Sequence, residues 1–197
     1  ERGRKDNGNT AFDTCTYNRF EIKRLAKKGF ELALTRSKKL CCVDKANVLE
    51  SSRLWRETVQ AMEKDYPDVE VSYEFVDAVA MRLVQWPNSY DVLITENLFG
   101  DILTDEASVI SGSMGLMPSA SVGEQTSLFE PIHGSFPQAA GKDIANPLAT
   151  VLSAAMLFEM AFGFKKEADC IRNVVDLSLS KGIVTEDLAN EGKTYKT

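Results

Sequence analysis

The stretch YDVLITENLFGDILTD, residues 90–105, is typical of a buried strand that leads directly into a helix. YDVLIT (90–95) is a short, largely apolar run, and the residues after it predict a helix from about 98 to 111. Asp101 and Asp105 are four residues apart, so both side chains lie on one face of that helix. The stretch therefore predicts a strand–helix unit that presents two neighbouring carboxylates.

The same alternation of strand and helix extends along most of the chain. Strands are predicted at 39–44, 69–76 and 90–95, and helices at about 18–36, 50–65, 77–86, 98–111, 147–162 and 165–181. Residues 1–16 are predicted to be a loop or an extended arm, and 112–146 a loop-rich stretch. This order indicates an α/β fold with some parallel pairing, in mixed sheets flanked by helices. No G-x-G-x-x-G motif follows a strand, so an ordinary Rossmann dinucleotide site is not expected.

Charge and cysteine usage narrow the class of protein. The net charge of −6 argues against a nucleic-acid binder, which needs an extended basic surface. The four cysteines lack C-x-x-C spacing, so neither a disulfide framework nor a zinc site is predicted, and a reducing, cytoplasmic location is favoured. No apolar run is long enough to span a membrane. The chain starts in a polar segment without Met, as expected for a piece of a longer protein that is incomplete at both ends.

Three segments carry residues suited to chemistry. In NLFGDILTD (97–105), the carboxylates of Asp101 and Asp105 suit Mg²⁺ or Mn²⁺, although acidic residues near a helix start are also favoured simply as solvated groups. VDKANVLE (43–50) places Lys45 at the end of a buried strand, where α/β sheets hold ligand groups; it is either a proton-transfer residue or an ordinary exposed lysine.

The third segment, FEPIHGSFPQAAGKDIANP (129–147), contains the only histidine of the chain, His133, beside Gly134. Glycine-rich backbone close to a helix start can approach phosphate groups. The alternative is a structured surface loop that binds no ligand.

Taken together, these segments resemble the isocitrate/isopropylmalate dehydrogenase family of β-hydroxyacid oxidative decarboxylases. FVDAVAM (75–81) and SVISGSMGLMPSASVG (108–123) support the resemblance, which covers nearly the whole chain. It implies an isopropylmalate dehydrogenase-like fold. Residues 1–112 would be mainly the dimerisation and metal-binding domain with an N-terminal arm, and 113–197 would return to the cofactor-binding domain.

The resemblance implies a role for each matching acidic or basic residue. Asp101 and Asp105 would bind Mg²⁺ or Mn²⁺, and Asp77 would supply a third carboxylate from the other subunit of a homodimer. Lys45 would transfer protons, also in the active site of the opposite subunit, so that Lys45 and Asp77 are the expected catalytic residues. The N-terminal arm would cross to the partner subunit.

The resemblance also implies an NAD site built from loops. Its expected residues are Asn47, Glu130, His133, Gly134, Gln138 and Asn146, with Asn97 as a weaker candidate for the nicotinamide end. Many NAD-dependent members have an acidic residue followed by isoleucine where this chain has Gln138 and Ala139. An acid there would bind the adenosine ribose and repel a 2′-phosphate, so NAD is expected but its discrimination from NADP is in doubt.

The implied activity is NAD-dependent oxidative decarboxylation of 3-isopropylmalate, in leucine biosynthesis. Tartrate and homoisocitrate are the alternative substrates, because the family's substrate-binding arginines and catalytic tyrosine lie before the segment that matches Glu1. For the same reason the 197-residue chain alone is expected to be inactive. A non-catalytic or regulatory relative and a plain structural α/β domain are the alternatives from other classes; neither needs Lys45, Asp77, Asp101 and Asp105 to be present together.

Overall fold

The computed structural model describes residues 1–189, which divide after Thr104 into two compact units. The strands are β1 (Arg2–Lys5), β2 (Thr10–Asp13), β3 (Lys39–Asp44), β4 (Glu70–Phe75), β5 (Val92–Ile94), β6 (Pro118–Val122) and β7 (Ser127–Pro131). The helices are α1 (Arg19–Leu34), α2 (Glu50–Met62), α3 (Val76–Gln85), α4 (Asn97–Ser111), α5 (Leu148–Phe162) and α6 (Lys165–Ser180). The unit boundary lies within α4, and the division of functions between residues 1–112 and 113–197 stays a prediction.

A three-stranded parallel sheet in the order β4–β3–β5 organises the first unit. The central strand, β3, is buried from Leu40 to Asp44, as expected for a strand covered on both faces. Leu40 and Cys42 belong to the cluster formed with α1 and α2, whereas Cys41 and Val43 pack with residues of α3 and α4. This alternation follows from the two-residue period of a strand and confirms the predicted α/β class with parallel pairing.

Helix α1 shows how local sequence sets an element boundary. Asn18 accepts a hydrogen bond from the backbone N–H of Glu21, and the Glu21 side chain accepts one from the N–H of Asn18. This reciprocal capping box makes Asn18 the N-cap of the helix that the sequence predicts from about residue 18. Ile22, Ala26 and Phe30 then fall on one face, are fully buried, and join α1 to the sheet.

Both stretches predicted as arm or loop contain an antiparallel hairpin. β1 pairs with β2, and the turn between them holds Asp6, Asn7 and Gly8 with positive φ angles, which these residue types tolerate best. β6 pairs with β7 around a turn at 123–126. Neither hairpin shows the apolar alternation that marks a half-buried strand, since β1 is exposed throughout and β6 is rich in small residues.

In the second unit, α5 packs against the β6–β7 hairpin and against α6. α5 ends at Gly163, which takes a left-handed conformation with φ of 70°. All four cysteines are free, and burial raises the pKa of Cys41 to about 11. Within residues 1–189, none of the helices combines the length and apolarity needed to cross a membrane.

Candidate active site

Lys45 and Asp77 form an ion pair at the carboxyl edge of the parallel sheet. Lys45 follows β3, and Asp77 lies in the first turn of α3, directly after β4. Lys45 Nζ donates a hydrogen bond to Asp77 Oδ1, and this bond holds the pKa of Asp77 below its usual value. The Lys45 side chain is only 25% exposed, and its Nζ lies 5.8 Å from the ring centroid of Phe75. Lys45 is therefore oriented, unlike an ordinary exposed lysine.

Helix α2 and its N-terminal turn fix the backbone around Lys45. The N–H of Lys45 donates to Ser52 Oγ at 3.1 Å, and its carbonyl oxygen accepts hydrogen bonds from the N–H groups of Val48 and Leu49. Arg53 Nε donates to the carbonyl oxygen of Ala46 at 2.8 Å. The N–H and C=O groups of Lys45 and the C=O group of Ala46 thus all have defined hydrogen-bond partners.

Directly below this turn, Asp44 is buried and paired with Arg56. Asp44 is 1% exposed, and Arg56 donates to both of its carboxylate oxygens, from Nε at 2.7 Å and from a terminal nitrogen at 3.0 Å. Asp44 Oδ1 also accepts the N–H of Ala46 at 2.9 Å. This pair was not predicted from the sequence, although an aspartate at the end of an apolar strand, with an arginine on the next helix, is a signal that could have revealed it.

Asp101 and Asp105 lie one turn apart on α4, and both are exposed. Across the described part of the chain neither carboxylate forms an ion pair. Within residues 1–189 no three acidic, histidine or cysteine side chains lie close enough together to hold a metal ion. Because Asp77 was expected to come from a partner subunit, the set of Asp77, Asp101 and Asp105 stays a prediction.

The start of α4 is anchored by two residues that sequence analysis did not identify. Glu96 accepts the backbone N–H groups of Leu98 and Phe99 at 3.1 and 2.9 Å, which caps the helix. Tyr17 donates its hydroxyl to Glu96 at 2.9 Å and accepts the N–H of Asn97 at 3.2 Å. Burial raises the pKa of Tyr17. These contacts fix the first turn of the helix that carries Asp101.

His133 has one ring nitrogen paired and the other without a hydrogen-bond partner among residues 1–189. Nδ1 lies 3.1 Å from the carbonyl oxygen of Gly134, a contact in which an Nδ1–H donates. Nε2 is buried and lacks a hydrogen-bond partner among residues 1–189. In this tautomer Nε2 is an acceptor, and the space beside Gly134 is open, since a Cβ there would meet no atom within 4 Å. The arrangement leaves an unsatisfied acceptor that a bound donor group would satisfy.

Asn146 has partners within its own unit. Its Oδ1 accepts the N–H of Leu148 at 3.0 Å, which helps to start α5, and its Nδ2 donates to Asp187 at 3.0 Å. Asp187 also accepts a hydrogen bond from the Ser113 hydroxyl. Although burial raises the pKa of Asp187, the hydrogen bonds outweigh this effect and leave the pKa lowered. Asn146 therefore has a structural role in addition to its predicted cofactor role, which stays a prediction.

The remaining predicted cofactor residues are exposed: Asn47, Glu130 and Gln138. Asn97, the weaker candidate, begins α4 and is also exposed. A cleft of about 420 Å³ opens beside the Gln138 loop, between Ala139, Gly141, Ile144 and Pro147. The structure brings Lys45 together with Asp77 in the first unit, and Glu130, His133, Gly134, Gln138 and Asn146 lie in the second.

Comparison with known proteins identifies a family that matches the whole chain and relatives that match more than nine tenths of it. The family described as isocitrate/isopropylmalate dehydrogenase matches residues 1–197. A 3-isopropylmalate dehydrogenase from Bacteroides fragilis (strain YCH46) is 59% identical over 182 residues, which are 92% of this chain and 51% of that protein. One from Desulfitobacterium hafniense (strain Y51) is 52% identical over 192 residues, 98% of this chain and 54% of that protein.

Solved structures agree on the fold. An isocitrate dehydrogenase from Methylococcus capsulatus superposes with a TM-score of 0.88 at 38% identity, covering 92% of this chain and 54% of that chain. A beta-decarboxylating dehydrogenase from Thermococcus kodakarensis gives 0.85 at 36% identity, covering 98% of this chain and 57% of that one. The chain thus spans about half the length of the curated relatives it matches.

Proposed function

The chain belongs to the isocitrate/isopropylmalate dehydrogenase family, and we propose that the protein containing it oxidises and decarboxylates 3-isopropylmalate with NAD, in leucine biosynthesis. The names of curated relatives that are 52% and 59% identical to the chain support this substrate. The observation that carries the proposal is the oriented Lys45–Asp77 pair at the carboxyl edge of the parallel sheet, where α/β proteins bind their ligands.

Lys45 is proposed to move the proton of the C2 hydroxyl. Oxidation at C2 requires that this hydroxyl lose its proton, and the later enolate must regain one at carbon. Lys45 suits the task because its side chain is held at both ends. Its backbone is fixed by hydrogen bonds in the turn, and its Nζ is fixed by Asp77. Asp77 keeps a negative charge beside the amine, since its lowered pKa leaves it ionised at neutral pH.

Asp101 and Asp105 are proposed to hold Mg²⁺ or Mn²⁺, with Asp77 of a second copy. Two exposed carboxylates one turn apart fit the oxygen-ligand preference of these ions, and the ion would offset their mutual repulsion. When bound, the ion would supply positive charge able to polarise the C2 oxygen and offset negative charge that develops there, and NAD would supply the hydride acceptor. The protein is proposed to form a homodimer whose two active sites each take residues from both subunits. It is expected in the cytoplasm.

The residues proposed for the adenosine end of NAD fit such a ligand. The unsatisfied Nε2 of His133 would accept a hydrogen bond from an amino group such as that of adenine. A Cβ at Gly134 would meet no atom within 4 Å, and the segment after Gln138 lines a cleft of about 420 Å³, so both parts of the loop leave room for a ligand. Gln138 provides no negative charge against a 2′-phosphate, so the preference for NAD over NADP is expected to be weak.

NAD reduction by the complete protein tests the proposal. With Mg²⁺ present, absorbance at 340 nm is followed with 3-isopropylmalate, tartrate, homoisocitrate and isocitrate in parallel. Rapid reduction with 3-isopropylmalate alone, abolished by a chelator and restored by Mg²⁺, is expected. Preference for another acid would keep the reaction and change the substrate. A folded protein that is inactive with all four acids would favour the hypothesis that it is a non-catalytic or regulatory relative.

A further inference from the structure

The Asp44–Arg56 pair is built for orientation more than for stability. Asp44 is 1% exposed, and the Arg56 side chain is 26% exposed. Burying Asp44 fully and Arg56 in large part costs free energy that a well-packed apolar pair of similar volume would avoid. What the pair adds is fixed geometry, because two parallel hydrogen bonds from a planar guanidinium define the position of the carboxylate.

Arg56 joins the two strand ends that carry the catalytic candidates. It binds Asp44, the last residue of β3 and the neighbour of Lys45. Its guanidinium carbon lies 5.2 Å from the ring centroid of Phe75, the last residue of β4, and 5.6 Å from that of Tyr73. Asp44 and Phe75 are register partners in the parallel ladder. A displacement of Arg56 would therefore change the packing and hydrogen bonding at the ends of both strands.

Asp44 connects Arg56 to the turn at residues 45–49, which is called the lysine turn below. Asp44 Oδ1 accepts hydrogen bonds both from Arg56 and from the N–H of Ala46. The carboxylate therefore fixes the peptide group that joins Lys45 to Ala46. Phe75 in turn lies under Lys45 Nζ at 5.8 Å from the ring centroid. The same guanidinium thus supports the backbone end of Lys45 through Asp44 and borders the ring on which its amine rests.

We propose that Arg56, acting through Asp44, is a positioning residue that fixes Lys45 for proton transfer. The proposal rests on the proposed function of Lys45. Proton transfer needs donor and acceptor within hydrogen-bonding distance, and a misplacement of about 1 Å can lower a rate by roughly 100-fold. Arg56 touches neither the metal-binding candidates nor the cofactor loop among the contacts described, so its loss should affect turnover far more than binding.

A double-mutant cycle in the complete protein tests this. Arg56→Met and the charge-conserving Arg56→Lys are each made alone and with Lys45→Met. In the presence of Lys45, kcat should fall by about 10- to 100-fold while KM for 3-isopropylmalate stays within about threefold. In the Lys45→Met background the same substitutions should change the residual rate by less than about twofold, because the residue through which Arg56 acts is gone. Arg56→Lys, which keeps the charge and loses the fork, should lie between Arg56→Met and wild type.

Arg19→Met is the matched control. Arg19 contacts Glu57 and Thr58, on the same helix α2, but does not contact the lysine turn. Its kcat should match that of the wild type. A purely structural role for Arg56 would instead lower the folded fraction and leave the kcat per folded molecule and the additivity of the cycle unchanged.

Amine labelling gives a readout that does not depend on turnover. Lys45 modification by an acylating reagent, followed by mass spectrometry, should rise several-fold in Arg56→Lys while Lys28 keeps its rate. Two results would overturn the proposal while the wild type is active. One is a loss of kcat on substitution of Arg56 that is equally large with and without Lys45, and the other is an Arg56→Lys variant in which both kcat and Lys45 labelling are unchanged. Failure of the proposed function itself is distinct, because the wild-type protein would then be inactive before any substitution is made.

Discussion

Lys45 and Asp77 come from the carboxyl ends of two neighbouring parallel strands and form an ion pair there. Their proximity follows from the register of the sheet, in which Asp44 pairs with Phe75, so that the residues just after each strand emerge side by side. An amine and a carboxylate are thereby presented together at the edge where α/β sheets bind ligands.

Lys45→Met should abolish chemistry while leaving cofactor binding intact. Methionine fills a similar volume but cannot accept or donate the proton, so kcat should fall by about 10²- to 10⁴-fold. The affinity for NADH, measured by fluorescence titration of the complete protein, should stay within about threefold. An equal collapse of NADH affinity would assign Lys45 a structural role. Lys28→Met, at an exposed position on α1, is the matched control.

Asp101→Asn should weaken metal binding and lower turnover at the same time. The amide keeps the shape of the side chain and removes the charge that attracts the cation, so kcat should fall by roughly 100-fold or more. Titration with Mn²⁺ followed by electron paramagnetic resonance measures the affinity directly. Glu106→Gln, on the same helix, should leave both quantities unchanged. A near-normal rate at saturating Mg²⁺ would contradict the assignment of Asp101 as a ligand.

Gln138→Asp should strengthen the preference for NAD over NADP. A carboxylate at this exposed position would repel a 2′-phosphate and accept hydrogen bonds from ribose hydroxyls, which Gln138 does less strongly. The ratio of kcat/KM values for the two cofactors should move toward NAD by about tenfold or more. Gln138→Glu should move it in the same direction. No change in either variant would mean that residue 138 lies away from the adenosine ribose.

Asp91→Asn should cost stability at neutral pH but not in strong acid. The Ser37 hydroxyl, Arg36 and the N–H of Ser37 all hydrogen-bond to Asp91 and lower its pKa from 3.8 to about 2. A carboxylate whose pKa is lowered by folding contributes stability above its unfolded pKa and loses it as the pH falls through the folded pKa. The gap between wild type and variant should therefore shrink from pH 4 to pH 2.

Urea midpoints over a pH series measure this gap in the complete protein. Asp68→Asn, at an exposed turn before β4, is the control and should track the wild type. A gap that stays constant from pH 7 to pH 2 would show that the side chain acts through shape and not through its charge.

The sequence predicted the elements whose pattern is local. β3 reads as a continuous apolar run because it is covered on both faces, and α1 carries its own cap at Asn18. The β1–β2 and β6–β7 hairpins were not predicted, because they depend on backbone pairing between strands, which a pattern of apolar residues does not reveal. The turn at Asp6, Asn7 and Gly8 was the local signal available for the first of them.

The sequence offered individual candidate residues for the site, whose roles stay predictions, but it did not indicate the contacts that support them. Tyr17 and Glu96 are 79 positions apart, and Asn146 and Asp187 are 41 apart, so no local pattern links them. Asp44 and Arg56 lie closer in sequence, yet an arginine on an amphipathic helix is usually solvated, and its pairing follows only from the burial of the strand end. Long-range polar contacts of this kind depend on the folded arrangement.

Mixed dimers test most directly the central claim that Lys45 and Asp101 serve one reaction from two copies of the chain. Complete protein carrying Lys45→Met and complete protein carrying Asp101→Asn, each nearly inactive, are co-expressed at equal levels with different affinity tags. If every active site takes Lys45 from one subunit and Asp101 from the other, each mixed dimer has one intact site. Random pairing should then restore about a quarter of the wild-type rate. Purified mixed dimers that remain as inactive as either parent would contradict the account.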